Sequence, residues 1–173
     1  EVRFFGSQDP WLFDEIRNAN LDDIVKVFGF VPRDQALQRQ RESQLLLLLL
    51  WDNPEEKGVY TGKVFEYLAA GRPIIALGGP EESVVKDLLN ETQAGHYILS
   101  LEDLEIVLSK YYSEYVRTGA IPRTKESAIM KYSHLEMAKK FADLLDKVQT
   151  GAPEHSTPAA ARSDSAQKSI PEQ

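Results

Sequence analysis

Residues 45–50 are six consecutive leucines, set in the stretch SQLLLLLLWDNPEEKGVY. A run with no polar face fits few environments: a membrane, the buried tail of a helix, or a strand covered on both faces. Crossing a hydrocarbon core takes about 20 apolar residues, whereas RQRES precedes this run and DNPEEK follows it. The membrane reading fails on length. Leucine is a strong helix former, so RDQALQRQRESQLLLLLLW reads on propensity alone as one long helix, but its second half would be apolar all round. A parallel strand buried on both faces gives the same unbroken run, and the polar break at Glu42, Ser43 and Gln44 suits a helix-to-strand connection. The flanking pattern decides for the strand.

That pattern alternates. Strand-like runs at residues 2–5, 24–28, 45–50, 74–77 and 97–99 are interleaved with helical patterns at 11–17, 33–42, 63–70, 81–89 and 101–116. Repeated β-α order marks a parallel sheet with helices on both faces, so the expected fold class is α/β, Rossmann-like, with the leucines as the central strand. Residues 123–131 and 133–148 add two C-terminal helices. In the second, Leu135, Ala138, Phe141, Leu144 and Leu145 recur with helical period, which leaves one face needing a partner. A content of 42% hydrophobic and 27% charged residues suits one ordinary globular domain, placed at residues 1–149. Residues 150–173, rich in Ala, Ser and Pro and lacking aromatics, are expected to form a disordered tail.

Boundary chemistry agrees with this layout. The helix at 63–70 meets Gly71 with Pro73 just beyond, a terminator with a stop behind it. Ser100 stands where a cap is needed, with Asp103 three positions on. The chain has no cysteine, so neither disulfides nor thiolate metal sites are open to it, and a reducing compartment is favoured. The expected location is cytoplasmic, or peripheral to the inner face of the membrane. With 27 acidic against 20 basic residues, net −7, the chain repels phosphate backbones, which argues against nonspecific nucleic-acid binding. The first residue is Glu and EVRFFG reads at once as a strand, so the chain is expected to be a piece of a longer polypeptide.

In open parallel α/β sheets, ligands bind beyond the carboxyl ends of the strands, where loops enter helix N-termini. Just after the leucines the chain reads WDNPEEKGVYTGKVFEYLAAGRPIIA, a loop holding Gly58, Thr61 and Gly62, then Lys63 and a helix that carries Glu66. A helix N-terminus offers unpaired N–H groups and partial positive charge, which suits a phosphate or diphosphate. Lysine in a first turn opposes the dipole unless an anion lies nearby; the alternative is that Lys63 simply pairs with Glu66 at i, i+3. Tyr67 reads as packing on the sheet, and His96 as structural. There is no Asp-x-Asp motif and no His pair at metal-ligand spacing, so no metal site is expected.

The phrase GVYTGKVFEYLAAGRPIIALGG, with IVKVFGFVPRDQALQRQRESQLLLLLL before it and GHYILSLEDL and YSHLEMAKKFADLL after it, resembles the C-terminal half of family 4 glycosyltransferases of the GT-B fold, across residues 1–148. The resemblance implies one of two nucleotide-type domains that face each other across a cleft, this one binding a nucleotide-sugar donor. It implies that Glu66 accepts hydrogen bonds from the ribose hydroxyls, that Gly58, Val59, Tyr60, Thr61, Gly62 and Lys63 hold the diphosphate and sugar, and that the backbone of Gly29, Phe30 and Val31 lies against the base. Lys63 and Glu66 are the implied catalytic pair. Implied too are a UDP- or GDP-sugar donor without cofactor or metal, transfer with retention, and a glycan or lipid-linked acceptor in polysaccharide or glycoconjugate synthesis. Gly78, Gly79 and Pro80 either line the sugar pocket or make a turn. The acceptor domain, and the first strand of this one, are expected upstream of Glu1, so the chain as given is expected to bind donor without catalysing transfer. One departure stands out: Gly58 occupies the position of the first of the family's two motif glutamates, whose role is contact with the transferred sugar.

Two other classes remain. A catalytically silent nucleotide-sugar-binding or interaction module is suggested by Gly58. A receiver-like signalling domain is suggested by Asp52 just past the third strand, but that chemistry needs an acidic pair after the first strand and a lysine after the fifth. Gly6, Ser7 and Gln8 stand at the first position, and Leu99 and Ser100 at the second.

Overall fold

Val2–Phe5 (β1) and Val25–Phe28 (β2) pair in parallel, Val2 opposite Val25 and Phe5 opposite Phe28, with helix Pro10–Asn18 (α1) as their connection. Helix Arg33–Glu42 (α2) carries the chain to a second parallel sheet of Leu46–Leu49 (β3), Ile74–Leu77 (β4) and Gly95–Ile98 (β5), in the order β3-β4-β5. Helices Gly62–Ala70 (α3) and Val84–Thr92 (α4) make its crossovers. This computed structural model describes residues 1–150; apart from Thr150, the tail expected at 150–173 lies outside the described residues. The protein is thus α/β with parallel sheets flanked by helices. The described residues fall into two units, Glu1–His134 and a second that begins at Leu135.

The strands stand near the expected positions, but their pairing corrects two expectations. They form a two-stranded and a three-stranded sheet rather than one sheet of five, because β1 and β3 make no ladder with each other. The leucine strand β3 is therefore an edge strand, not a central one. Nor is it buried on both faces: Leu46 and Leu48 are 6% and 1% exposed, whereas Leu47 and Leu49 are 37% and 61% exposed. The reason is that α3 and α4 cover the Leu48 face, whereas the opposite face is covered away from this edge, where Ile75 of β4 is 3% exposed and Tyr111 of the helix at 101–118 meets His96 of β5. On its own face Leu48 packs with Val64 and Leu68 of α3, Ile74 and Ala76 of β4, and Val85, Leu88 and Leu89 of α4. Each fully buried aliphatic side chain in that cluster contributes about 1.5–3 kcal/mol.

Helix ends follow their local chemistry. α3 stops at Gly71, whose φ of +66° is the left-handed conformation that closes a helix at low cost to glycine. Helix Leu101–Thr118 (α5) starts at Ser100, whose Oγ accepts from the Asp103 amide at 3.1 Å, as its sequence signature requires. α4 begins at Val84 rather than at residue 81, because Ser83 caps it by accepting from the Val85 amide at 3.2 Å. The fifth strand starts two residues earlier than expected, at Gly95.

Residues 123–131 do not form the expected single helix. Only Glu126–Ile129 (α6) is α-helical, followed by a 3-10 turn at Met130–Tyr132. The preceding residues are spent on tertiary hydrogen bonds: Ile121 N–H to Gln44 Oε1 (2.8 Å), Arg123 Nη1 to the Ala70 carbonyl (3.1 Å) and Thr124 N–H to the Gly71 carbonyl (3.2 Å). These latch the segment onto the end of α3 and the approach to β3. Helix His134–Thr150 (α7) forms as expected, with Leu135, Phe141, Leu144 and Leu145 exposed along it. Among the described residues, no helix is long and apolar enough to cross a membrane.

Candidate functional site

The chain leaves β3 with the Leu50 amide still bonded to the Leu77 carbonyl at 2.8 Å, then turns out to solvent at Trp51 and Asp52. Asn53 Oδ1 accepts from the Glu55 amide (3.1 Å) and starts a 3-10 turn at Pro54–Glu56. The loop beyond is fastened to the start of α4: the Lys57 carbonyl accepts from the Val84 amide at 2.9 Å, and Lys57 Nζ lies 3.4 Å from Glu82. Tyr60 packs its ring against Phe65, with centroids 5.5 Å apart. Gly58, Val59, Tyr60, Gly62 and Lys63 are all exposed.

Thr61 has the extended backbone of a cap residue, and its carbonyl accepts from the Val64 amide at 3.1 Å, but its hydroxyl makes no capping bond. That hydroxyl is buried without a partner. The first-turn amides of α3 therefore have no side-chain acceptor from their own cap, the condition that makes a helix start receptive to an anion. Lys63 forms no ion pair among the described residues. The alternative pairing of Lys63 with Glu66 is not what the structure adopts.

Glu66 is engaged from α2 instead. Arg33 Nη2 lies 2.9 Å from Glu66 Oε1, and Gln40 Nε2 approaches Oε2 at 3.5 Å, the long limit of a hydrogen bond. Arg33 is the first residue of α2, separated from the turn of Gly29, Phe30 and Val31 by Pro32 alone. The two parts of the predicted site, that turn and helix α3, are thus joined through Arg33. No hydrogen bond among the described residues joins residues 29–31 to residues 58–62 directly. Neither Arg33 nor Gln40 was singled out from the sequence. A signal existed for Arg33, since a cation in a first helical turn opposes the dipole as Lys63 does.

The remaining candidates make contacts within the fold. Gly78 has φ +83°, and a Cβ there would come within 2.8 Å of the Leu50 carbonyl oxygen, so the β4–α4 turn presses against the end of β3. The Tyr97 hydroxyl donates to the Pro80 carbonyl at 2.7 Å and braces the same turn. Tyr67 packs at the margin of the core, and burial pushes its phenol above the usual range. His96 lies on β5 edge-on to Tyr111, with ring centroids 5.7 Å apart, and burial lowers its pKa, the nearby Lys110 acting in the same direction.

The predicted site is an open surface. A cavity of about 380 Å³ lies elsewhere, between α3 and residues 123–133, lined by Phe65, Leu68 and Arg123 among others, and another of about 310 Å³ lies between Pro73, Tyr111 and Pro122. None of the predicted site residues lines either one. Among the described residues no cluster of three or more His, Cys, Asp or Glu is arranged to hold a metal ion. A scan against protein-family models finds no match to this chain, and searches of curated proteins and of solved structures find none either.

Proposed function

We propose that residues 1–149 are the donor-binding domain of a GT-B glycosyltransferase of the family 4 type, taking a UDP- or GDP-sugar. The observation that carries this reading is the start of α3. There Lys63 stands exposed and without an ion-pair partner among the described residues, beside backbone amides that the Thr61 hydroxyl leaves uncapped, one turn before Glu66. A diphosphate supplies the negative charge that this arrangement lacks. Glu66, already oriented by Arg33, offers carboxylate oxygens to the ribose hydroxyls, and the turn of Gly29, Phe30 and Val31 receives the base.

In glycosyl transfer the bond between the anomeric carbon and the diphosphate breaks, the electron pair leaves with the phosphate oxygen, and positive charge develops on the sugar. Helix amides and Lys63 stabilise the departing anion as dipoles and a charge fixed before reaction. That electrostatic role needs no divalent metal. The acceptor, a glycan or lipid-linked sugar, is bound by a second domain of a longer polypeptide, so residues 1–173 bind donor without turnover. Gly58 favours one other reading, a silent nucleotide-sugar-binding module, because the motif glutamate that would meet the transferred sugar is absent there.

Titration of residues 1–173 with UDP, GDP and ADP, followed by amide NMR shifts, tests the donor site. Saturable shifts at residues 58–66 that vanish in Glu66→Ala are expected; none with any of these nucleotides overturns the reading. Turnover by the natural polypeptide, lost in Glu66→Ala, separates the enzyme from the silent module.

A further inference from the structure

The cavity of about 310 Å³ lies at the amino ends of β4 and β5, the end of the sheet opposite the loop that follows β3. Lys110, Tyr111, Arg123 and Thr124 line it together with Pro73 and Pro122. Among the described residues neither Lys110 nor Arg123 forms an ion pair, nor does Arg72, which precedes Pro73. Glu114 also lines the cavity, but Arg117 Nη2 donates to both of its oxygens at 2.6 and 2.7 Å. The Thr124 hydroxyl is buried and has no hydrogen-bond partner.

In a chain of net −7, positive charge gathers here. Arg72 Nε and Arg123 Nη2 donate to one and the same oxygen, the Arg41 carbonyl, at 3.0 and 3.3 Å, and Arg123 Nη1 donates to the Ala70 carbonyl at 3.1 Å. Burial and then the neighbouring Arg123 lower the pKa of Arg72, as burial and then Lys110 lower that of His96, which meets Tyr111 edge-on. The helix ends offset part of this charge. Arg41 and Ala70 lie in the last turns of α2 and α3, and a helix C-terminus carries about half a negative charge, so two of them answer about one of the three cations. About two positive charges remain, and a phosphate monoester at neutral pH carries about −1.5 to −2. A carboxylate, with one charge, leaves the cluster half compensated.

We propose that this cavity binds the phosphate group of a small phosphorylated molecule, held by Lys110, Arg123 and the Thr124 hydroxyl, with Arg72 adding charge beside it. Charged guanidinium and ammonium donors suit phosphate oxygens, and the rings of Pro73, Tyr111 and Pro122 offer apolar walls to the organic body of the ligand. The inference is independent of the donor-site reading: nucleoside diphosphates are followed at residues 58–66, and this site at Gln93, Lys110 and Thr124.

The test titrates inorganic phosphate and phenyl phosphate into residues 1–173 at constant ionic strength, followed by amide NMR. Saturable shifts at Gln93, Lys110 and Thr124 are expected, with half-saturation by phenyl phosphate below about 1 mM, and the His96 midpoint rises as the ligand's charge compensates Lys110. Lys110→Gln, an exposed change that breaks no ion pair among the described residues, is expected to weaken binding about tenfold or more. Thr124→Val removes a hydroxyl that has no partner in the free protein, so the fold is kept while binding weakens about threefold or more. Vesicles of phosphatidic acid in phosphatidylcholine separate a lipid headgroup from a soluble ligand. Saturation by the vesicles alone, shifts confined to residues 58–66, or unchanged affinity in either variant each overturn the proposal.

Discussion

Arg33 Nη2 stands 2.9 Å from Glu66 Oε1, joining the first residue of α2 to the middle of α3 across 78% and 29% exposed side chains. Exposed ion pairs contribute about 0–1 kcal/mol to stability, so this contact orients a carboxylate more than it holds the fold. Arg33→Gln and Glu66→Gln are each expected to change unfolding free energy by less than about 1 kcal/mol in urea titrations. Glu66→Gln is also expected to weaken UDP or GDP binding by about tenfold or more in calorimetry, since hydrogen bonds to a charged acceptor carry about 1.5–3 kcal/mol. A Glu66→Gln protein that unfolds would make Glu66 a structural tie instead.

Lys63 separates stability from binding by sign. It lies in the first turn of α3, where a cation opposes the helix dipole, and no ion pair compensates it among the described residues. Lys63→Gln should therefore stabilise the free protein by about 0.3–1 kcal/mol while weakening nucleoside diphosphate binding. Thermal melts with and without nucleotide measure both. A variant less stable and equally competent to bind leaves Lys63 without the role assigned to it.

The two loops at the ends of β3 and β4 should respond oppositely to added side chains. Gly78 has φ +83° and a Cβ there meets the Leu50 carbonyl oxygen at 2.8 Å; Gly78→Ala is expected to cost about 1–3 kcal/mol. At Gly58 nothing lies within 4 Å of an added Cβ, and its φ is not in the left-handed region. Gly58→Glu, which restores the family's first motif glutamate, is expected to stay within about 0.5 kcal/mol of the parent. Equal losses at the two positions in chemical denaturation would contradict the loop geometry.

Burial, reinforced by the nearby Lys110, lowers His96 below its ordinary 6.5. Below pH 6.5 the unfolded chain then binds a proton that the folded chain still refuses, so folding stability is full above that pH and declines as pH falls toward the depressed folded value. Glu1 and Glu42, both held below 4.5 by hydrogen bonds from Arg3 and Gln38 respectively, act in the same direction but in a more acid window. The NMR midpoint of His96 is expected below 6.5, and His96→Gln should flatten the decline just under pH 6.5. An unchanged slope would assign it to other groups.

What was legible in the chain was what neighbouring residues determine. Apolar runs marked all five strands, Ser100 and Gly71 marked helix ends, and the order of elements marked the parallel α/β class. The break between β1 and β3 was not legible, because pairing is set by distant edges and each strand alone reads the same either way. The engagement of Glu66 by Arg33 was hidden for a like reason: their 33-residue separation gives no local pattern, and only the misfit of a cation at a helix start pointed to it. Residues 123–131 looked helical by composition, yet hydrogen bonds to Gln44, Ala70 and Gly71 outcompeted the first turn.

The leucine run makes the sharpest contrast, since identical residues carry no phase and only the fold divides them. Leu48 is 1% exposed against Val64, Leu68 and Leu88, while its neighbour Leu49 is 61% exposed. Removing a buried leucine side chain to Ala loses its transfer energy and leaves a cavity, about 2–5 kcal/mol. Leu48→Ala in residues 1–173 is expected in that range, and Leu49→Ala within about 0.5 kcal/mol of the parent. Urea denaturation of the two single variants decides it. Comparable large losses would mean that both faces of β3 are covered in solution.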